Sequence, residues 1–435
     1  MKTKELYKIF KEFSEITTDS RNIIKNSIFF ALKGTNFNGN EYASKAIELG
    51  CSYAVIDEKK YVQNNKYILV DNVLESLQQL AHYHRQNLKI PIIAITGTNG
   101  KTTTKELIKA VLSKKYNIIG TEGNLNNHIG VPLTLLSMND STEIGVVEMG
   151  ANHMGEIKML CEIAEPNYGL ITNIGKAHLE GFGSFEGVIK AKSELYEYLS
   201  KNNKIIFVNI DNKILKDISI KSNKITYGTI ANSNYQGEFI EANPFVKLNW
   251  KYNDTNLQNY RSNYVETQLI GKYNFENILA SICIGKFFNV SDDDIKQAIE
   301  QYKPTNNRSQ LIKSKFNTLL LDFYNANPTS MKEALINFAD IKSENKIIIL
   351  GDMFELGNES EKEHLKIINI LKRNNFKDFF LIGNVFNKVS KNTKFKSFES
   401  TNDFINWVKN NRISDSYILI KGSRGMHLEN IIEFL

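Results

Sequence analysis

Cysteine, proline and long apolar runs are all scarce in this sequence, and each scarcity removes a class of protein. The three cysteines, Cys51, Cys161 and Cys283, lie far apart and form no CxxC pair. Neither a disulfide framework nor a thiolate zinc site is therefore expected, and reduced structural thiols are. Only 6 of 435 residues are proline, and no repeat or low-complexity tract is present, which excludes fibrous and disordered classes. No apolar run approaches the roughly 20 residues that cross a bilayer, so no membrane insertion is expected. The first residues, MKTKELYKIFKEF, have neither the continuous apolar core nor the small-residue cleavage site of a secretory signal, so the expected compartment is the cytoplasm. Charge of one sign is missing too. Against 54 Lys and Arg stand 48 Asp and Glu, a net +6 without a basic block interleaved with aromatics; nucleic acid is not an expected partner, and a small anion suits the balance.

What is there is strand and helix in alternation. At roughly 100 to 200 residues per domain, 435 residues suggest two or three domains, and the patterning favours three. The runs SIFFALKG (27–34), SYAVID (52–57) and KYILV (66–70) read as strands, with a helix-like YASKAIELG between the first two that ends on Gly50. After Pro91 a new series opens: strand IPIIAIT, then a helix whose Leu107, Ile108, Val111 and Leu112 share one face. EIGVVEMG (143–150), YGLITNIG (168–175) and KIIFVNID (204–211) continue it as buried strands of a mostly parallel sheet. A strand-rich polar stretch (about 225–270) and two helices follow, the second opened by a Ser291–Asp294 capping pair, before Lys303-Pro304 breaks the pattern. A third series comprises NTLLLDFY (317–324), KIIILGDM (346–353), DFFLIGN (378–384) and SYILIKGS (416–423). The expected fold class is therefore α/β, with domains over 1–88, 89–305 and 306–435, and ligands gathering at the carboxyl ends of the strands.

The sharpest chemical signal is Gly97-Thr98-Asn99-Gly100-Lys101-Thr102-Thr103, set between an apolar strand and an amphipathic helix. Small residues let backbone N–H groups close around phosphate oxygens, and the helix N-terminus adds partial positive charge. Lys101 can reach the outer phosphates and the Thr102 hydroxyl can ligate Mg²⁺. A nucleoside triphosphate is thus the expected ligand. The full GxxxxGK[ST] spacing fails, because Ile95 stands five positions before Gly100.

A shortened GTNGKT loop of this kind resembles that of the Mur ligase superfamily, which includes the peptidoglycan amino-acid ligases and folylpolyglutamate synthase. The resemblance covers essentially the whole chain in motif order. It implies an N-terminal α/β domain for a UDP-linked substrate, a central P-loop parallel-sheet ATPase domain and a Rossmann-like C-terminal domain. It also implies a metal site made from Glu148 at a strand end, His178 in NIGKAHLEGFG and Lys192 in VIKAKSEL, together with Thr102. Carboxylate and imidazole suit Mg²⁺. Ammonium would repel it, and the resemblance implies that Lys192 is carbamylated by CO₂ to become an anionic oxygen ligand.

Within the superfamily, GNLNNHIGVPLTLL (123–136), VEMGANHMGEI (147–157), AHLEGFGSFEGVIKAKSEL (177–195), DFYNANPTSMKEAL (322–335), LGDMFELG and KGSRGMHLE resemble the branch that adds D-alanyl-D-alanine to a UDP-N-acetylmuramoyl-tripeptide. The branch that adds the third residue carries DNPR where this chain has YNANP. The resemblance implies ATP, Mg²⁺ and those two substrates as partners, in a protein expected to be a monomer. For the UDP end it implies Ser20, Arg21 and Lys33; for the muramoyl-peptide, Asn124, Asn126 and Asn127. For adenine, ribose and phosphate it implies Asn274, Asn277, Arg308 and Asp322; for the dipeptide, Asn325, Asn327, Lys421, Ser423 and Arg424. Read without the family, the basic and hydroxyl residues among these are ordinary loop residues, and the group that takes the amine proton stays open between His178 and a substrate-bound water. Two rivals remain: another ligase of the superfamily, and a nucleotide-binding regulator that would have no use for the metal trio.

Overall fold

The computed structural model describes residues 1–254, 259–305, 307–391, 393 and 395–435. The N-terminal unit carries β1 (Ile16–Thr17), β2 (Ile28–Phe30), the hairpin β3 (Lys33–Gly34) and β4 (Phe37–Asn38), β5 (Tyr53–Ile56) and β6 (Tyr67–Leu69). Strands β1-β2-β5-β6 form a parallel sheet in that order. The run 27–34 does not make one long strand: the Leu32 N–H turns back onto the Phe30 carbonyl at 2.9 Å, and the chain leaves the sheet there. The helix read from YASKAIELG spans Ala43–Glu48, and Gly50 takes a left-handed φ of 116° just beyond it, as a residue past a helix end commonly does.

The middle unit adds β7 (Ile92–Thr96), β8 (Ile118–Gly120), β9 (Ile144–Glu148), β10 (Tyr168–Ile171), β11 (Ile205–Asn209), β12 (Asn223–Gly228), β13 (Tyr235–Ala242), β14 (Phe245–Asp254) and β15 (Asn259–Ile270). They form one nine-stranded sheet, ordered β15-β14-β13-β12-β11-β10-β7-β9-β8. It is parallel from β8 to β13 and antiparallel over β13-β14-β15. From β7 the chain runs to one side of the sheet, through β8 and β9, and from β10 to the other. Strand order therefore reverses between β7 and β10, and a reversal of this kind opens a crevice at the strand ends.

The third sheet holds β16 (Gln310–Lys313), β17 (Thr318–Leu321), β18 (Lys346–Gly351), β19 (Asp378–Ile382), β20 (Lys396–Phe398) and β21 (Tyr417–Lys421). Its order is β16-β17-β21-β18-β19-β20, with only the β16–β17 pair antiparallel.

Helix Val73–Asn87 lies between the first two sheets. Its Val73, Leu77 and Leu80 belong to one apolar cluster with Phe10, Ile28 and Val55 on one side and Ile92, Val131, Leu135 and Ile157 on the other. At its end Arg85 is buried, donating to the carbonyls of Leu88, Ile90, Ala164 and Glu165 and to Asn167 Oδ1 over 2.7–3.1 Å. A cation spent on carbonyls fixes the chain where it passes from one unit to the next. Leu107, Ile108, Val111 and Leu112 of helix Lys101–Leu112 are fully buried on the shared face the sequence predicts, and Ser291 accepts from the Asp294 N–H as the expected cap. Among the described residues no helix is long and apolar enough to cross a membrane.

Candidate active site

The loop after β7 is held by the loop after β10. Thr98 N–H donates to the Asn173 carbonyl at 2.9 Å, Asn99 N–H to Asn173 Oδ1 at 3.0 Å, and the Thr172 hydroxyl to the Asn99 carbonyl at 2.7 Å. Two glycines make this closeness possible. Gly97 has φ 143° and a Cβ there would overlap the Thr172 hydroxyl; Gly100 has φ 77° and a Cβ would stand 2.6 Å from Asn277 Oδ1. Helix Lys101–Leu112 begins directly after Gly100, so its free N–H groups face the loop. Lys101 Nζ donates to the carbonyls of Gly97 at 2.7 Å and Thr98 at 3.2 Å. Burial lowers the pKa of this ammonium, with Glu148 acting in the opposite sense.

A cavity of about 570 Å³ opens above the loop. Of the residues picked from the sequence it is lined by Thr98 to Thr103, Asn124, Asn126, Asn127, Glu148, His178, Asn274, Asn277, Arg308, Asp322, Asn325, Asn327 and Lys421. Residues of the middle and third units thus line one space. Gly97, Ser423 and Arg424 are not among its lining residues. Ser20, Arg21 and Lys33 are elsewhere, on the N-terminal unit. Arg21 is already paired with Asp19 at 2.8 Å, and Lys33 with Asp57 at 2.9 Å and Glu58 at 3.0 Å.

Several asparagines have structural bonds of their own. Asn127 Oδ1 accepts from the Gly130 N–H, and Asn327 caps helix Pro328–Asp340 by accepting from Ser330 N–H. Asn277 donates to Asn274 Oδ1 at 2.9 Å and accepts from the Thr104 hydroxyl at 3.0 Å. Asn327 Nδ2 also donates to Asn99 Oδ1 at 2.7 Å, joining the third sheet's first helix to the phosphate loop.

The metal candidates divide. Glu148 is 1% exposed, at the end of β9, where register sets it beside Ile95 of β7. It accepts from the Thr102 hydroxyl at 2.9 Å and from Asn126 Nδ2 at 2.8 Å, with Lys105 Nζ 3.9 Å away. Octahedral Mg²⁺ with oxygens at about 2.1 Å has neighbouring ligands about 3 Å apart, so the Thr102–Glu148 oxygen pair fits one edge of its coordination sphere. His178 lines the same cavity, but its Nδ1 is 2.5 Å from Glu355 Oε2. Lys192 lies out of the cavity lining, 2% exposed, with Nζ donating to the Ala151 carbonyl at 3.3 Å. Burial, with the Lys101 charge added, brings its pKa down to about 7. Among the described residues no three His, Cys, Asp or Glu side chains are gathered as a ready-made metal cluster.

Among the cavity residues that sequence reasoning did not assign are Tyr324, Tyr273, Glu333 and Glu355. Tyr324 stacks on the Arg308 guanidinium, whose Cζ is 3.6 Å from the ring centre. Tyr273 shares a 2.5 Å hydrogen bond with Ser309. Burial raises the carboxyl pKa of Glu333, and Glu355 enters from the loop after β18. Tyr324 and Glu333 stood inside the quoted DFYNANPTSMKEAL motif and Glu355 inside LGDMFELG, but only the fold shows that these three and Tyr273 face one space. At the end of β17, Asp322 accepts from Lys421 Nζ at 2.6 Å and from Ser309 N–H at 3.2 Å.

Three family descriptions match consecutive stretches: "Mur ligase family, catalytic domain" over 12–96, "Mur ligase middle domain" over 95–285 and "Mur ligase, glutamate ligase domain" over 307–424. The chain is 34% identical over 432 residues to the UDP-N-acetylmuramoyl-tripeptide–D-alanyl-D-alanine ligase of Bacillus subtilis (strain 168), covering 97% of this chain and 92% of the relative. A crystal structure of MurF from Acinetobacter baumannii superposes with a TM-score of 0.84 at 29% identity, over 96% of this chain and 92% of that one. The MurF ligase of Thermotoga maritima in complex with ADP gives 0.83 at 25% identity, over 97% and 96%.

Proposed function

The chain belongs to the Mur ligase family, and from that premise we propose that it joins D-alanyl-D-alanine to UDP-N-acetylmuramoyl-tripeptide, using ATP and releasing ADP and phosphate. The observation that carries this reading is the single cavity in which the phosphate loop, Asn124 to Asn127 and the ends of β17 and β21 face one another. A ligase of this type must bring an activated carboxylate and an amine together over a nucleotide. We assign the UDP-muramoyl end to residues 1–88, ATP to 89–305 and the dipeptide to 306–435. The described residues form no membrane-crossing helix, and such precursor chemistry belongs in the cytoplasm.

In the reaction a tripeptide carboxylate oxygen bonds to the γ-phosphorus as the bond to ADP breaks, giving an acyl phosphate. The dipeptide amine then attacks the acyl carbon, phosphate leaves with the C–O electron pair, and the amine proton is lost. No side chain need become a nucleophile. Lys101 and the helix N-terminus lower the repulsion between the two anions, and the cavity supplies orientation. Thr102 and Glu148 would hold Mg²⁺, which when bound adds positive charge beside the transferred phosphoryl group. The test is phosphate release from ATP with UDP-muramoyl-tripeptide, comparing D-alanyl-D-alanine with D-glutamate, lysine, diaminopimelate and glutamate. Stimulation by the dipeptide alone is expected. A different preferred amine would keep the ligase chemistry and overturn the substrate.

The finer part of the reading is a carbamate on Lys192. Its buried amine has a backbone carbonyl as partner and a second cation, Lys101, acting on it, an arrangement that disfavours charge. A neutral amine is what CO₂ requires: the nitrogen lone pair bonds to carbon, one C=O pair moves to oxygen, and a proton leaves. Enzyme stripped of CO₂ is expected to lose activity and recover it with bicarbonate, and Lys192→Ala to be about 100-fold slower, on the scale of losing several kcal/mol of charge stabilisation. Full activity of Lys192→Ala without bicarbonate would remove the carbamate from the mechanism.

A further inference from the structure

We propose that Tyr324 is a positioning residue of the nucleotide site, its ring holding the Arg308 guanidinium ready for a phosphate oxygen. The inference deepens the ligase reading above and rests on it in taking the anion to be that of a nucleotide.

Arg308 is a cation without an anion. Its Cζ lies 3.6 Å from the centre of the Tyr324 ring, close enough that the guanidinium must sit over the ring face. Its Nε is buried and has no hydrogen-bond partner, and among the described residues the side chain forms no ion pair. Both side chains line the cavity above the phosphate loop. Burial lowers the Lys101 pKa and the Arg308 charge acts in the same sense, so the two cations feel one another there. A second guanidinium, that of Arg424, stands 5.4 Å from the same ring centre. Buried donors are normally satisfied, and a guanidinium with unspent N–H groups in a cavity suits an anion arriving from outside.

The backbone around Arg308 is fixed from both sides. Asn307 and Ser309 have left-handed φ of 56° and 51°, a strain that persists only where neighbours impose it. Those neighbours come from two units. Tyr273 of the middle unit shares a 2.5 Å hydrogen bond with Ser309 Oγ, and Asp322 of the third accepts from the Ser309 N–H at 3.2 Å. The turn fixes the Arg308 Cα but leaves a long side chain whose ordering is costly in entropy. The Tyr324 face holds its charged end. A ring attracts a cation through its quadrupole and uses up no N–H; a carboxylate in the same place would hold Arg308 as firmly but would occupy the donors and cancel the charge. The Tyr324 hydroxyl makes no hydrogen bond among the described residues, so the face of the ring carries the role.

The test is calorimetric binding of ADP, without Mg²⁺, to the full chain carrying Tyr324→Phe, Tyr324→Leu, Arg308→Ala, or Arg308→Ala and Tyr324→Leu together. The conservative Tyr324→Phe, which keeps the ring face, should bind ADP within about twofold of the wild type. Tyr324→Leu keeps bulk and removes the π face; its Kd should rise about 5- to 30-fold, the range of a cation–π contact shielded from water. Arg308→Ala should lose at least as much. Adding Tyr324→Leu to Arg308→Ala should then change nothing further, because a ring that acts only through Arg308 has nothing left to hold.

Wild-type ADP affinity in Tyr324→Leu would overturn the proposal. So would an undiminished effect of Tyr324→Leu in the Arg308→Ala background, which would mean that the ring touches the nucleotide itself or merely shapes the loop. A loss in Tyr324→Phe equal to that in Tyr324→Leu would also overturn it, by moving the role to the hydroxyl. ADP binding does not depend on turnover. Coupling of Tyr324 to Arg308 in a chain whose phosphate release no amine stimulates would support the pairing and overturn the ligase reading; dipeptide-stimulated release without that coupling would do the reverse.

Discussion

Lys101→Ala is expected to slow dipeptide-stimulated phosphate release by about 10²- to 10³-fold, the usual loss when one preorganised donor to a developing charge is removed, or about 3–4 kcal/mol. The basis is position as much as charge. Lys101 is the first residue of its helix, and its Nζ lies against the Gly97 and Thr98 carbonyls of the same loop, so the cation is stored at the edge of the cavity it serves. Stability should change little, because the loop keeps its bonds to Thr172 and Asn173. Arginine should not rescue the defect: its planar fork needs more room than a point-like ammonium. Steady-state phosphate release and a thermal melt measure both halves, and a loss below tenfold with an intact fold would remove Lys101 from the chemistry.

Glu148→Gln is the second large effect, expected at roughly 10²-fold or more in kcat, the several kcal/mol that a lost charge-stabilising ion represents. The carboxylate accepts two hydrogen bonds, from Thr102 and Asn126, and lies near the buried ammonium of Lys105. An amide keeps the shape but turns one acceptor into a donor facing a donor, and it removes the only formal negative charge on the proposed Mg²⁺ edge. The diagnostic is the Mg²⁺ dependence of phosphate release. Its midpoint should move to higher Mg²⁺, with part of the activity recovered at the top of the titration. An unchanged midpoint would place the ion elsewhere.

These two residues were legible in the sequence because short-range patterns declare them. Lys101 sits in a strand–loop–helix motif and Glu148 ends an apolar run, so local order was enough. The parallel strands of all three units were legible for the same reason: buried on both faces, they read as continuous apolar runs. Short or edge strands were not. The two-residue β1 and the three-residue β20 are too brief for any period, and β8 lies in a YNIIG stretch that resembles a helix end. Glu355 and Glu333 stood inside quoted motifs but were given no role there, because what they face is set by a distant strand order. Lys105 was visible only as the fifth letter of a helix, and its place beside Glu148 depends on that helix packing across β9.

The apolar cluster around helix Val73–Asn87 has a thermodynamic consequence. A core shared by two sheets cannot be dissolved on one side alone, since melting the N-terminal strands would leave Val131, Leu135 and Ile157 facing water across the vacated helix. The Arg85 bonds fasten the same seam. The N-terminal and middle units are therefore expected to unfold as one, while the third meets them through Ile270 of β15, which lies in its own apolar cluster, and through bonds such as those of Asn327 and Glu363.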